Sequence, residues 1–174
     1  MRFIVRLVAF SVAAVALAFG AATFTSRERL DERRDSVEFA WARVVDDLTA
    51  RYDALATANE AVRASGGSAR SVVGEIDGAV ADWNEALDRN DLGAGLQAAT
   101  RLEGLARRLE ANIEGSPRLG SEASTLALTA FAERAVDVEA LNDAVTEYSE
   151  AQAGAVRSVV AATLGHDRLA VLAI

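Results

Sequence analysis

The chain contains no cysteine, no lysine, one proline and one histidine, His166. Without cysteine there can be no disulfide, thiolate metal centre, cysteine nucleophile or lipid-modified cysteine. A single histidine argues against a Ser-His-Asp arrangement and against a histidine-rich metal site. Aromatics make up only 6% of the residues, and this scarcity, with the near absence of proline, suits helices better than strands. Basic residues are in deficit: 18 arginines face 26 acids, for a net charge of −8. That balance excludes sequence-independent nucleic-acid binding as a primary role.

What is present is a globular composition, 51% hydrophobic and 25% charged over 174 residues. This length holds one domain and a short appendage. Charge is unevenly placed. Six arginines and three acids precede Asp35, leaving twelve and twenty-three beyond it, so a mildly basic stem leads into an acidic body.

The stem is oily. From Leu7 to Ser26 no residue is charged, and twenty helical residues rise about 30 Å, the thickness of a bilayer's hydrocarbon core. Leu7, Val8, Phe10, Val12, Val15, Leu17, Phe19 and Phe24 each favour insertion by about 0.3–0.6 kcal/mol. Residues 1–26 therefore read as a single-pass membrane anchor. A cleavable signal peptide competes, with small residues at Ala18, Gly20 and Ala22 for a cleavage site. The length of the uncharged run and the helical sequence that follows at once favour the uncleaved anchor. Arg27, Arg29, Arg33 and Arg34 outnumber Arg2 and Arg6 across the span, which predicts a cytoplasmic body.

Beyond the stem, apolar residues recur in sevens. The first helix carries Trp41, Leu48, Leu55 and Val62 on one seam and Val37, Val44, Arg51 and Ala58 on the other. The second carries Val73, Val80 and Leu87 with Ile76 and Trp83; the third, Leu92, Ala99, Ala106 and Ile113 with Leu102 and Leu109. The last carries Phe131, Val138, Val145, Gln152 and Val159 beside Leu141, Tyr148, Ala155 and Ala162. Breaks fall at Gly66–Gly67, Asn90–Gly93, Gly115–Ser121 and Gly165. Such seams predict an all-α, antiparallel up-down four-helix bundle over 27–165, with a short apolar tail at 166–174. At 1.5 Å per residue the first helix (27–64) spans about 57 Å and the last (121–164) about 66 Å, against about 35 Å for each middle helix. The middle pair should then cover only the distal half. Val156, Val159, Val160 and Leu164 are left as an uncovered partner surface, and the tail should lead back towards the lipid.

Three stretches carry a resemblance. VEFAWARVVDDLTARYDAL presents Trp41, Val44, Leu48, Arg51 and Asp53; EGSPRL presents Glu114, Pro117 and Leu119; LNDAVTEYSEA presents Asn142, Ala144, Val145 and Tyr148. In order and spacing these resemble the motifs of the LemA family, bacterial and archaeal proteins with one amino-terminal membrane helix and a helical domain. The family's L-I-P-N-L is ALATA here, and Ser116, Leu141 and Ser149 replace its tyrosine, tyrosine and asparagine. The resemblance implies a long antiparallel four-helix bundle at a membrane and carries no reaction.

Few residues suggest chemistry. Arg51 and Arg134 fall on seams, and with the turns aligned they share a layer with Asp82, Glu103 and Trp83, a polar layer able to hold a small ligand. The plainer reading, which the sequence favours, turns the arginines outward onto Asp47 or Asp137. Carboxylate pairs such as Glu133/Asp137 and Asp143/Glu147 lack the histidines of a di-iron bundle. DRNDLG departs from a calcium loop at Leu92 and Ala99. His166, after a helix-ending glycine, reads as a cap. Trp41, Trp83, Phe131 and Tyr148 read as core. The sequence thus predicts no cofactor, metal or catalytic residue. It predicts an interaction or scaffold protein with a protein partner or a second copy, the ligand-binding module being the alternative.

Overall fold

The computed structural model describes residues 2–64, 70–114, 122–153, 155–163 and 165–172, with side chains from Arg27 onward except those of 70, 71, 123, 155–157 and 160. Every regular element among them is helical: α1 (Arg2–Ala64), α2 (Arg70–Asp88), α3 (Leu92–Glu114), α4 (Glu122–Ala132), α5 (Glu139–Gln152) and α6 (Ala155–Thr163). The fold is all-α. Among the described residues no helix is long and apolar enough to cross a membrane. The anchor side chains, Leu7 to Phe24, lie outside them, although their backbone belongs to α1.

The seams bury as their spacing demands. Val37, Leu48, Leu55, Ala58 and Val62 on α1, Ile76 and Trp83 on α2, and Ala99, Leu102, Ala106 and Leu109 on α3 are all buried. Leu48, Leu55, Val62, Ile76, Trp83, Ala99, Leu102, Ala106 and Leu109 join Phe131 of α4 in the distal core, and Trp41, Val44, Val80, Leu87 and Ile113 pack half-buried around it. At the distal end Asn59 Nδ2 donates to Val73 O (3.0 Å) and Asp77 Oδ1 (2.8 Å), pinning α2 back along α1.

The α2–α3 turn explains why so short a link reverses the chain. Asn90 adopts φ 53°, its N–H donates to Leu87 O (3.0 Å), and the Asp91 N–H donates to Ala86 O (2.9 Å). These are the two bonds of a Schellman cap, built on asparagine, which tolerates the left-handed region. Asp91 then opens α3 by accepting the Ala94 N–H on Oδ1 (3.0 Å). Gly95 follows where the Trp41 ring of α1 lies against the α3 backbone, since a Cβ there would come within 3.0 Å of that ring.

Two expectations fail beyond α3. The last helix is not continuous over 121–164: it breaks between Ala132 and Glu139 and again at Ala153, whose backbone is extended. The first break, ERAVDV, holds neither glycine nor proline. It is stabilised by what receives it, because carbonyls released there are taken by Arg51, and Asp137 Oδ1 accepts the Glu139 N–H (3.0 Å) to open α5.

The tail does not lead back towards the stem. Gly165 turns with φ 74°, while the Gly165 and His166 N–H groups donate to Ala162 O (3.4 Å) and Ala161 O (2.9 Å). Residues 166–172 then run antiparallel to α5, away from Arg27. Leu172 is buried against the distal core. Leu169 packs on a second, proximal core of Val37, Ala40, Leu92, Leu96, Leu141, Val145 and Tyr148. The proximal half is therefore covered by the first turns of α3 and by the tail, and is not a bare helix pair. Of the short apolar tail at 166–174, Leu169 and Leu172 pack on the body.

Candidate functional site

Arg51 is buried, so its charge must be met in place. Its Nε and Nη2 donate to Glu103 Oε1 (2.7 Å) and Oε2 (3.0 Å), and Nη1 donates to the carbonyls of Phe131 (3.1 Å) and Arg134 (3.0 Å). The guanidinium lies 4.0 Å from the Phe131 ring centroid. Side-chain exposure is 8% for Arg51 and 3% for Glu103. The planar fork matches a carboxylate bidentately, and its remaining donors meet the negative end of the α4 dipole. One side chain thus clasps α1 to α3 and to the end of α4.

Of the expected layer the structure brings Arg51 and Glu103 together and leaves the Arg134 and Asp82 side chains apart from them. Arg51 and Glu103 do meet, and Arg51 does not turn outward to Asp47, which is exposed. Arg134 contributes its carbonyl, while its side chain is exposed. Asp82 is exposed and pairs with Arg101 at 2.9 Å. Both carboxylate oxygens of Glu103 are engaged by the guanidinium, which suits a structural clasp better than acid–base work. Beside it Tyr52 packs edge-on to Trp83 with centroids 4.9 Å apart, and Trp83 lies 5.7 Å from Trp41. Burial, reinforced by the Glu103 charge, pushes the Tyr52 hydroxyl far above its ordinary pKa. Trp83 Nε1 and Asn59 Oδ1 are buried without a hydrogen-bond partner among the described residues. A groove of about 390 Å³ opens over the clasp, lined by Glu110, Leu128, Phe131 and Ala132 among others.

A second constellation lies along α5, and periodicity did not reveal it. Asn142 meets one tail residue twice: its Nδ2 donates to Leu172 O (2.8 Å) and its Oδ1 accepts the Leu172 N–H (2.7 Å). Gln152 Nε2 donates to the carbonyls of His166 (3.2 Å) and Asp167 (3.1 Å). Between them His166 bridges the Tyr148 hydroxyl on Nδ1 (3.2 Å) and Asp31 Oδ1 on Nε2 (3.2 Å), with 7% of its side chain exposed. Burial raises the Tyr148 pKa, with Arg34 nearby opposing the shift. His166 was expected to cap. Its backbone N–H does, but its ring is a buried bridge. The sequence held one signal of this site, a glutamine on an otherwise apolar seam.

The remaining predicted positions scatter. Leu48, Val145 and Tyr148 are core, Trp41, Val44, Asn142 and Ala144 half-buried, and Asp53 and Glu114 exposed; Pro117 and Leu119 lie outside the described residues. Of the predicted partner surface, Val159 is 64% exposed, while Leu164 and the side chains of Val156 and Val160 lie outside the described residues. Phe39, on the same half of α1, is 68% exposed. Among the described residues no group of three or more acidic and histidine side chains is arranged to hold a metal ion. In comparisons with known proteins, no family model, curated protein or solved structure matches the chain.

Proposed function

We propose that this chain is a membrane-anchored, divergent LemA-like four-helix-bundle protein that serves as an interaction or scaffold module, its body on the cytoplasmic side. The observation that carries this reading is the continuity of α1. One helix of 63 residues, Arg2–Ala64, joins the uncharged run 7–26 to the packed body without a break. At about 95 Å, such a helix couples stem and body as a rod and holds the proximal half at a set distance from the lipid. Exposed Phe39 and Val159 supply apolar contact near that end, where a partner protein or second copy would sit.

Full-length protein should stay with membranes through alkaline carbonate washing, and protease added outside spheroplasts should leave the body intact. Release by carbonate would overturn the anchor. Cross-linking in membranes should capture a protein neighbour through the proximal half, and Val159→Asp should abolish the capture. Capture unchanged by that substitution would remove the assigned surface.

The ligand-binding alternative draws support from the groove over Arg51 and Glu103. It predicts a ligand-dependent rise in Tm that survives Val159→Asp and is lost when Ala132→Trp fills the groove.

A further inference from the structure

We propose that the α5 face bearing Asn142, Tyr148 and Gln152 is a binding site for an extended peptide with leucines three residues apart, and that residues 166–172 are its resident, detachable ligand. The inference rests on the interaction reading above only in taking the outside ligand to be a protein segment.

The tail is held as receptors hold peptides. A helix has no free backbone groups to pair with an extended chain, so side chains must supply them. A carboxamide carries a donor and an acceptor side by side, the complement of a backbone N–H and C=O. Asn142 uses both on Leu172, and Gln152 takes the carbonyls of His166 and Asp167. These four contacts read backbone, so any extended segment can make them. Selectivity comes from the side chains between. His166, Leu169 and Leu172 turn inward, while Asp167, Arg168, Ala170 and Val171 are exposed. Burial every third residue fits a chain with three residues per turn and not the alternation of a strand. Leu172 enters the core, Leu169 reaches Gly93, where a Cβ would lie 3.7 Å from its Cδ2, and His166 fills the slot between Tyr148 and Asp31.

The tail is also placed to leave. It joins α6 through a Gly165 turn, and among its described residues only the His166 and Leu172 side chains are deeply buried. Its departure would withdraw Leu169 from the proximal cluster of Leu141, Val145 and Tyr148, on the half where the exposed Phe39 lies, and Leu172 from the distal core. The occupant that fits the vacated site is a protein segment with a polar residue, then leucines at the third and sixth positions after it. A second copy's tail has that pattern and is one source of such a segment.

The test uses the full chain in detergent micelles and a fluorescent peptide of residues 166–174. Leu172→Asp loosens the resident tail without touching the receptor face. The variant should bind the peptide at least about tenfold more tightly than wild type, because wild type must first displace its own tail. Adding Asn142→Ala should weaken that binding by about tenfold, the loss of two backbone bonds at roughly one net hydrogen bond's worth or more. Equal binding by wild type and variant, or none by either while helical content persists, would overturn the proposal. Should Leu172→Asp fail to fold, hydrogen exchange in wild type decides instead. The Leu172 amide should exchange at least about tenfold faster than those of Val145 and Tyr148 through local opening; equal rates would mean the tail moves only with global unfolding and would refute detachment. Neither readout depends on carbonate resistance, so failure here leaves the anchor standing and failure of the anchor leaves peptide binding measurable.

Discussion

Around Arg51, helices α1–α4 close on one another through side chains; beside Asp31, α1 and α5 are closed by a peptide held through its backbone. The distal core is made of apolar seams with one ion pair at its edge, and Trp83, Tyr52 and Leu102 within it are almost wholly shielded. The proximal core is smaller; the tail lays Leu169 on it and carries Leu172 on into the distal core. The difference teaches what each half can do. Apolar seams of four helices part only together, whereas a few carboxamide bonds and one inserted leucine can part alone. A rigid half and an openable half suit a module that stays folded while exchanging partners.

The largest break expected in this contrast is on the distal side. Arg51→Ala or Glu103→Ala should each lose about 3–5 kcal/mol by stranding a buried charge, measured as a lower urea midpoint for the whole transition. Replacing both at once with Met and Leu should recover most of that loss. A double variant as unstable as either single would show that the clasp is needed to hold the α4 end, and not merely to satisfy its own charges.

In the tail, Leu172→Ala should cost about 2–3 kcal/mol, the lower range for a buried leucine, because the tail can adjust. Its signature should be local: faster exchange of amides near Tyr148 and Val145, with those near Leu102 slowed or sped only as global stability changes. Uniform acceleration across both cores would erase the distinction drawn here. Asn142→Ala should cost about 1–3 kcal/mol with the same local pattern, since it leaves the Leu172 N–H and C=O without their partner.

Smaller effects sharpen the picture. Asn90→Ala should cost about 1 kcal/mol through strain in the left-handed cap, and Asn90→Gly should be neutral or stabilising; thermal melts distinguish them. A pH effect is expected in alkali. Burial raises the Tyr52 pKa, so the folded chain keeps its phenol protonated while the unfolded chain releases that proton above about pH 10. The stability from that raised pKa is whole below pH 10 and is lost as pH rises beyond it. Tyr52→Phe should make the alkaline fall in Tm shallower; an unchanged fall would point to Tyr148, whose pKa burial also raises.

Legibility in the sequence followed the kind of interaction. Leu48, Leu55, Ile76, Leu102 and Leu109 sat at heptad spacing and are buried, because helix geometry alone brings every third or fourth residue to one face. Asp91 was readable as part of a turn, and Arg51 as a charge on an oily seam. What Arg51 meets was not readable: two of its acceptors are carbonyls, which every residue has. The same holds for the break at ERAVDV, which has no helix-breaking residue and exists because Arg51 and Asp137 meet the groups it frees. The tail failed for the same reason, since Asn142 and Gln152 grip peptide groups that leave no mark in a side-chain pattern.

By itself, then, the order of residues determined an all-helical chain, its seams and its short middle hairpin, because those depend on local periodicity and on keeping oil from water. Only the tertiary structure decided where the last helix breaks, that Glu103 is the partner of Arg51, and that the tail turns back into the body. Those outcomes depend on which backbone groups lie within hydrogen-bond reach once the helices have packed, and that distance exists only in three dimensions.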